Sequence, residues 1–158
     1  PYLWEAVGAN LGNPTNEDFM KSFALCDQIP EREYSATCFG GFGKEFVGLA
    51  KARDIRNIEN LSDDEMLKIY NWCKLANNNE GIRECLSNAL SSIYWGGEND
   101  RSTAIKFCNI VTDPSNQSSC FQNLIGQVSY YIQDSNYRES FCEELPEIYQ
   151  KNCKITLL

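Results

Sequence analysis

The sequence predicts an all-α protein, a short α-solenoid of tandem helical hairpins each stapled by its own disulfide. Three observations predict it: evenly spaced cysteines, apolar positions that repeat around them, and turn residues between the members of each pair. Cys26 and Cys38, Cys73 and Cys85, and Cys108 and Cys120 each enclose eleven residues, and Cys142 and Cys153 enclose ten. Eight cysteines admit many pairings, and the self-similarity of the spacing selects nearest neighbours. On that basis residues 1–158 form a single helical repeat domain. It divides into a remnant of a preceding helix at 1–14, a first unit with its connector at 15–61, and further units at 62–98, 99–133 and 134–158.

At the start of the chain, Tyr2 to Leu11 reads as a helix closed by Gly12-Asn13-Pro14. In later units a second cysteine stands 22 or 23 residues before the next first cysteine, and the same step back from Cys26 falls on Trp4 or Leu3. The segment is therefore expected to be the second helix of a lost hairpin, the chain being a piece of a longer array. Thr15 before Asn16-Glu17-Asp18 then opens the first unit with acids in the first turn, and Ser62-Asp63-Asp64-Glu65 is a capping box for the second.

The residue before each first cysteine is apolar (Leu25, Trp72, Phe107, Phe141), as is the third after it (Ile29, Ala76, Val111, Leu145). Beyond the second cysteine, the fourth residue is Phe42, Ala89, Leu124 or Leu157, and the eighth is Phe46, Ile93 or Val128. Steps of four mark one face of a helix. Between the cysteines, Pro30, Pro114 and Pro146 are expected at first helical positions, Asp113 adds a cap, and Asn77-Asn78-Asn79 with Gly81 makes the bend of the second unit. Gly96-Gly97 ends the second unit's second helix, and Lys51 to Leu61 is an additional connector.

Gly40, Gly41 and Gly43 fall inside a predicted helix, where each costs up to about 1 kcal/mol relative to alanine. Close approach of a neighbouring helix is the expected compensation. A phosphate-binding loop is excluded because Gly43-Lys44 is followed by Glu45 and no strand precedes it.

These helix pairs resemble the tetratricopeptide and Sel1-like class of repeats, and especially the disulfide-bridged, cysteine-rich repeat proteins exported by some bacteria. The likeness covers Asn16 to Leu158, where first cysteines recur 47, 35 and 34 residues apart. It implies a curved stack whose concave surface receives a protein or peptide, and it transfers no catalytic residue.

Composition narrows the function. The chain carries 14 basic and 22 acidic residues, a formal charge of -8 that repels phosphate backbones, so nucleic acid is not an expected partner. No stretch is apolar enough for direct membrane insertion by this segment. Paired cysteines without a Cys-x-x-Cys motif point to an extracytoplasmic location, whether secreted, periplasmic or at the cell surface. The absence of histidine removes Ser-His and Cys-His nucleophile systems and imidazole metal sites. No catalytic residue, cofactor or metal ligand is assigned.

Four acidic groups remain for a carboxylate-dependent hydrolase: Glu17-Asp18, Asp63-Asp64-Glu65, Glu98 with Asp100, and Glu143-Glu144. The competing expectation is that they cap helices or solvate exposed faces. Candidate glycosylation acceptors are Asn60 and Asn116, each two residues before a serine. A candidate binding surface is formed by Tyr94, Trp95, Tyr130 and Tyr131, with Tyr137 and Tyr149 also near helix ends, where rings either pack between units or meet a peptide or sugar. The leading functional expectation is a noncatalytic extracytoplasmic protein-binding or assembly module, such as a cell-surface or membrane-complex component. A glycan hydrolase and a carrier of a small apolar ligand are the alternatives.

Overall fold

The computed structural model describes residues 2–10, 12–52, 61–96 and 100–157. Among these lie nine helices and no strand: α1 (Tyr2–Ala6), α2 (Asn16–Asp27), α3 (Arg32–Ala50), α4 (Asp63–Cys73), α5 (Asn79–Gly96), α6 (Arg101–Ile110), α7 (Pro114–Tyr131), α8 (Ser135–Glu144) and α9 (Glu147–Leu157). The fold is all-α, as the sequence predicts.

A polar side chain starts the first helix of every hairpin. Thr15 and Ser62 form reciprocal capping boxes with Asp18 and Glu65. Asp100 accepts hydrogen bonds from the amides of Ser102 and Thr103, and Asp134 accepts one from Tyr137 at 2.6 Å. Each side chain satisfies amides that the first turn leaves unpaired.

The bends differ in detail from expectation. Pro114 does occupy the first position of α7, behind its Asp113 cap. Pro30 lies two residues ahead of α3, because the last turn of α2 is still closing at Ile29, whose amide donates to the Cys26 carbonyl, and Glu31 is extended. Pro146 stands one residue before α9. At the N-terminus, α1 ends at Ala6 and does not continue towards Leu11. Gly8 turns the chain through a left-handed conformation (φ 73°), and the Ala9 amide closes back on the Trp4 carbonyl. Trp4 is buried against Phe19 and Phe42, so this short helix caps the core of the first hairpin. Of the connector over 51–61, residues 53–60 lie outside the described residues; Lys51 at its start reaches Glu65 in α4 at 3.2 Å.

All eight cysteines pair with their nearest neighbours, Cys26–Cys38, Cys73–Cys85, Cys108–Cys120 and Cys142–Cys153, with Cα atoms 5.5 to 5.6 Å apart. Each bond joins the two helices of one hairpin just beyond its bend. Four such bonds belong to an oxidising, extracytoplasmic environment. No helix among the described residues is long and apolar enough to cross a membrane.

Hairpins pack in sequence. The second helices α3, α5, α7 and α9 lie successively against one another, while α4 packs on both α3 and α6. The repeated apolar positions face inward: Phe42, Ala89, Leu124 and Leu157, and Phe46, Ile93 and Val128, are all buried. Leu25 and Ile29 are the exceptions, both half-buried and apart from the core. Around the first hairpin the core is aromatic, with Phe19–Phe46 at 4.8 Å, Phe23–Phe42 at 4.9 Å and Phe46–Trp72 at 5.4 Å.

Of Gly40, Gly41 and Gly43 in α3, Gly43 leaves room for the backbone of α5 and Gly40 for the Asn88 side chain. A Cβ on Gly43 would stand 1.9 Å from the Cys85 carbonyl oxygen, and one on Gly40 would stand 2.4 Å from the Asn88 amide nitrogen. Gly41 faces open space, so the expected close approach does not extend to it.

Polar links join the units. Asn77 and Asn78 donate to the Asp27 carboxylate at 3.0 and 2.6 Å, tying one bend to the next, and Tyr70 and Thr112 hydroxyls meet at 3.3 Å. Arg138 in α8 donates to the carbonyls of Ser129 (2.8 Å), Ile132 (2.6 Å) and Leu157 (3.1 Å), gathering the C-terminal ends of α7 and α9 onto one guanidinium. Charged hydrogen bonds of this kind are worth about 1.5–3 kcal/mol each where water is partly excluded. Arg138→Ala is therefore expected to lower stability by about 2–3 kcal/mol, and Arg138→Lys to recover less than half of it, because an ammonium cannot reach three divergent carbonyls. Chemical denaturation of the oxidised variants measures both.

Candidate functional site

The exposed side of the second helices carries two recesses that meet at Ser91. One, of about 500 Å³, lies between α3 and α5 and is lined by residues including Lys44, Val47, Asn88, Ser92 and Trp95. The other, of about 450 Å³, lies between α5 and α7; Ser87 and Ser91 form one wall, Gln122, Asn123 and Gln127 the other, and Gly126 lies between Tyr130 and the helix start. A Cβ on Gly126 would meet nothing within 4 Å, so the backbone of α7 is bare at that point.

Three aromatic rings stand over the junction. Trp95 and Tyr131 pack edge-to-face with centroids 4.9 Å apart, and Tyr130 meets Tyr131 in the same way at 4.6 Å. Their exposures are 39% for Trp95, 59% for Tyr131 and 76% for Tyr130, so ring surface that a helix would ordinarily bury faces solvent. Tyr94, by contrast, is fully buried beneath Trp95. Its hydroxyl bonds to that of Tyr137 at 3.0 Å; burial, reinforced by this bond, pushes it well above the ordinary tyrosine range and keeps it neutral. Tyr137 in turn lies beneath the Arg101 guanidinium, and Tyr149 stacks on Phe121. The six aromatic residues singled out from sequence therefore divide evenly: Tyr94, Tyr137 and Tyr149 pack within the protein, and Trp95, Tyr130 and Tyr131 face out.

No protein family, curated protein or solved structure matches this chain.

The polar walls are uncharged and linked across the helices. The Gln127 amide nitrogen donates to the Ser91 hydroxyl at 2.9 Å, which donates to the Ser87 carbonyl at 3.0 Å. The Gln127 Oε1 atom is buried and accepts no hydrogen bond. Among the described residues lining the two recesses none is a carboxylate, and Lys44 alone is charged.

The acidic groups lie elsewhere, several of them in structural roles, with Asp63 and Asp64 in the first turn of α4. Glu17 pairs with Lys21 at 2.7 Å, Glu144 with Arg101 at 2.7 Å, and Asp100 caps α6. Glu98 lies outside the described residues. Hydrogen bonds from the Thr15 amide and hydroxyl hold Asp18 below the usual carboxylate range. Partial burial pushes Glu65 up, but the Ser62 amide, Lys51 and the Ser62 hydroxyl together outweigh it and hold this carboxyl low as well. A general acid requires the opposite shift. Among the described residues no three Asp, Glu, Cys or His side chains gather as a metal site would require.

A depressed folded-state pKa contributes stability above the unfolded value, and that contribution is lost as pH falls through the folded value. Glu65→Gln is thus expected to lower the melting temperature at neutral pH, and the gap to the parent is expected to close progressively below about pH 4. Melting curves collected across that range check it; a gap of constant size would show that the charge of Glu65 has no part in capping α4.

Asn116 is buried in the first turn of α7, and Asn60 lies outside the described residues. Sequence reasoning found the exposed rings and missed the groove beneath them. Ser87, Ser91, Gly126 and Gln127 read as ordinary solvent-facing helix positions until α5 and α7 are placed side by side. The one available signal was their helical register, since Ser87 with Ser91 and Gly126 with Tyr130 are each four residues apart.

Proposed function

We propose that the protein is a noncatalytic, extracytoplasmic binding module that docks a partner on the exposed side of α3, α5 and α7, in an assembly at or beyond the cell surface. The observation that carries this reading is the cluster of Trp95, Tyr130 and Tyr131, whose rings remain open to solvent above a neutral groove in a strongly acidic chain. Exposed aromatic residues of this kind supply much of the binding energy at recognition surfaces. The sequential packing of hairpins and the resemblance to helix-pair repeats support the same use. A carboxylate hydrolase gains no support, because among the described residues no carboxylate lines either recess. Neither of these two recesses favours an apolar carrier, since both open to solvent.

A photo-crosslinking residue placed at Tyr131, compared with one at the exposed Ile148 of α9, tests the reading in native extracytoplasmic material. A discrete adduct is expected from position 131 and none from 148. Excess parent protein should compete it away, and the Trp95→Ala protein should compete poorly. Equal labelling at both positions, or competition unaffected by Trp95→Ala, would overturn the assignment.

A further inference from the structure

We infer that the groove between α5 and α7 recognises a neutral pyranose sugar ring. This deepens the binding reading above and rests on it. A pyranose has one face of polarised C–H groups and a rim of hydroxyls, so a complementary site needs exposed aromatic faces beside neutral groups that both donate and accept hydrogen bonds. The aromatic face is electron-rich and attracts the C–H side of the sugar. Tyr130 and Tyr131 supply such faces at nearly perpendicular orientations, 75° apart, so they offer surfaces to two sides of one ring or to successive rings.

The rim of the site matches the second requirement. Gln122, Asn123 and Gln127 contribute amides and Ser87 and Ser91 hydroxyls, groups that can each serve vicinal diols. The amides of Gln122 and Asn123 line the recess, where the hydroxyls of a sugar offer both donors and acceptors. A proline-rich peptide, the other ligand suited to exposed rings, has few N–H groups to offer their carbonyls. Charge points the same way, since the lining of this groove carries no formal charge to select an ionic ligand although the chain as a whole is strongly acidic. The bare backbone at Gly126 supplies the space over which a ring can lie in this shallow, open recess.

Isothermal titration of the intact, oxidised protein with neutral gluco-, manno- and chito-oligosaccharides tests the inference. Three variants accompany the parent. Tyr131→Ala is expected to weaken binding about tenfold by removing one stacking face. Gln122→Met removes an exposed rim amide and is expected to weaken it severalfold without loss of stability. Gly126→Met, whose side chain meets open space, is expected to fold normally and abolish binding by filling the floor.

The source of the sugar is read from a second arm, in which a glycopeptide is compared with its released glycan. Tighter binding of the glycopeptide identifies a glycan carried by a partner protein, whereas equal affinity identifies a free or cell-surface polysaccharide. Absence of saturable binding to every neutral sugar at millimolar concentration, with the Tyr131 crosslink intact, overturns the sugar assignment and leaves the docking surface standing. Absence of both overturns the two together. Binding that survives Gly126→Met undiminished also overturns it, by placing the sugar elsewhere.

Discussion

Gly43→Ala is expected to destabilise the protein by about 3 kcal/mol or more, whereas Gly41→Ala, two residues away in the same helix, is expected to stabilise it by up to about 1 kcal/mol. An added methyl at Gly43 meets the Cys85 carbonyl oxygen at 1.9 Å and the Ala89 nitrogen at 2.9 Å, both main-chain atoms that cannot rotate aside. Relief requires α3 and α5 to separate, and separation would loosen Phe39, Phe42 and Phe46 on one helix and Leu86, Ala89 and Ile93 on the other, all of them buried. At Gly41 no atom lies within 4 Å, so alanine only removes the conformational freedom that glycine keeps in the unfolded chain. Denaturation of the two oxidised variants side by side decides the matter; equal effects would mean that the helices do not touch through their backbones.

Removing the third staple, by Cys108→Ala with Cys120→Ala, is expected to cost about 3 kcal/mol, the loop-closure entropy of a bridge spanning about a dozen residues. Both cysteines are buried, at 0% and 2% exposure, in the same core as Phe107, Phe121 and Leu124, so some lost packing adds to that figure. Access distinguishes the four bonds. Cys38 is the one half-buried cysteine, whereas the others are enclosed, and a reductant needs a path to sulfur before exchange begins. Limited reduction followed by alkylation and peptide mapping should therefore label Cys26 and Cys38 first. Simultaneous labelling of all eight would show that global unfolding precedes every reduction.

The architecture was legible in the sequence because the cysteines record it directly: a covalent link at constant spacing implies one hairpin per pair, and the four observed bonds follow that spacing. Caps were equally readable at Thr15 and Ser62, where the chemistry is local. Pro30 was misplaced by two residues because its position depends on how far α2 winds before the bend, which is decided by packing rather than by proline itself. Leu25 fits the apolar pattern yet stays outside the core for the same reason.

The candidate site was half legible. Exposure of Tyr130 and Tyr131 against burial of Tyr94, three aromatic residues with similar surroundings in sequence, depends on which face each helix turns towards its neighbours. The groove itself arises from the meeting of Ser91 and Gln127, 36 residues apart, and no local pattern encodes that distance.

Where Gly43 of α3 meets α5, peptide groups abut peptide groups, and no rotamer can relieve a change there. The next seam is bridged by side chains, Ser91 to Gln127, which can rotate and re-form. An occupant of the crevice crowned by Tyr131 would therefore meet a seam whose polar links can shift to fit it.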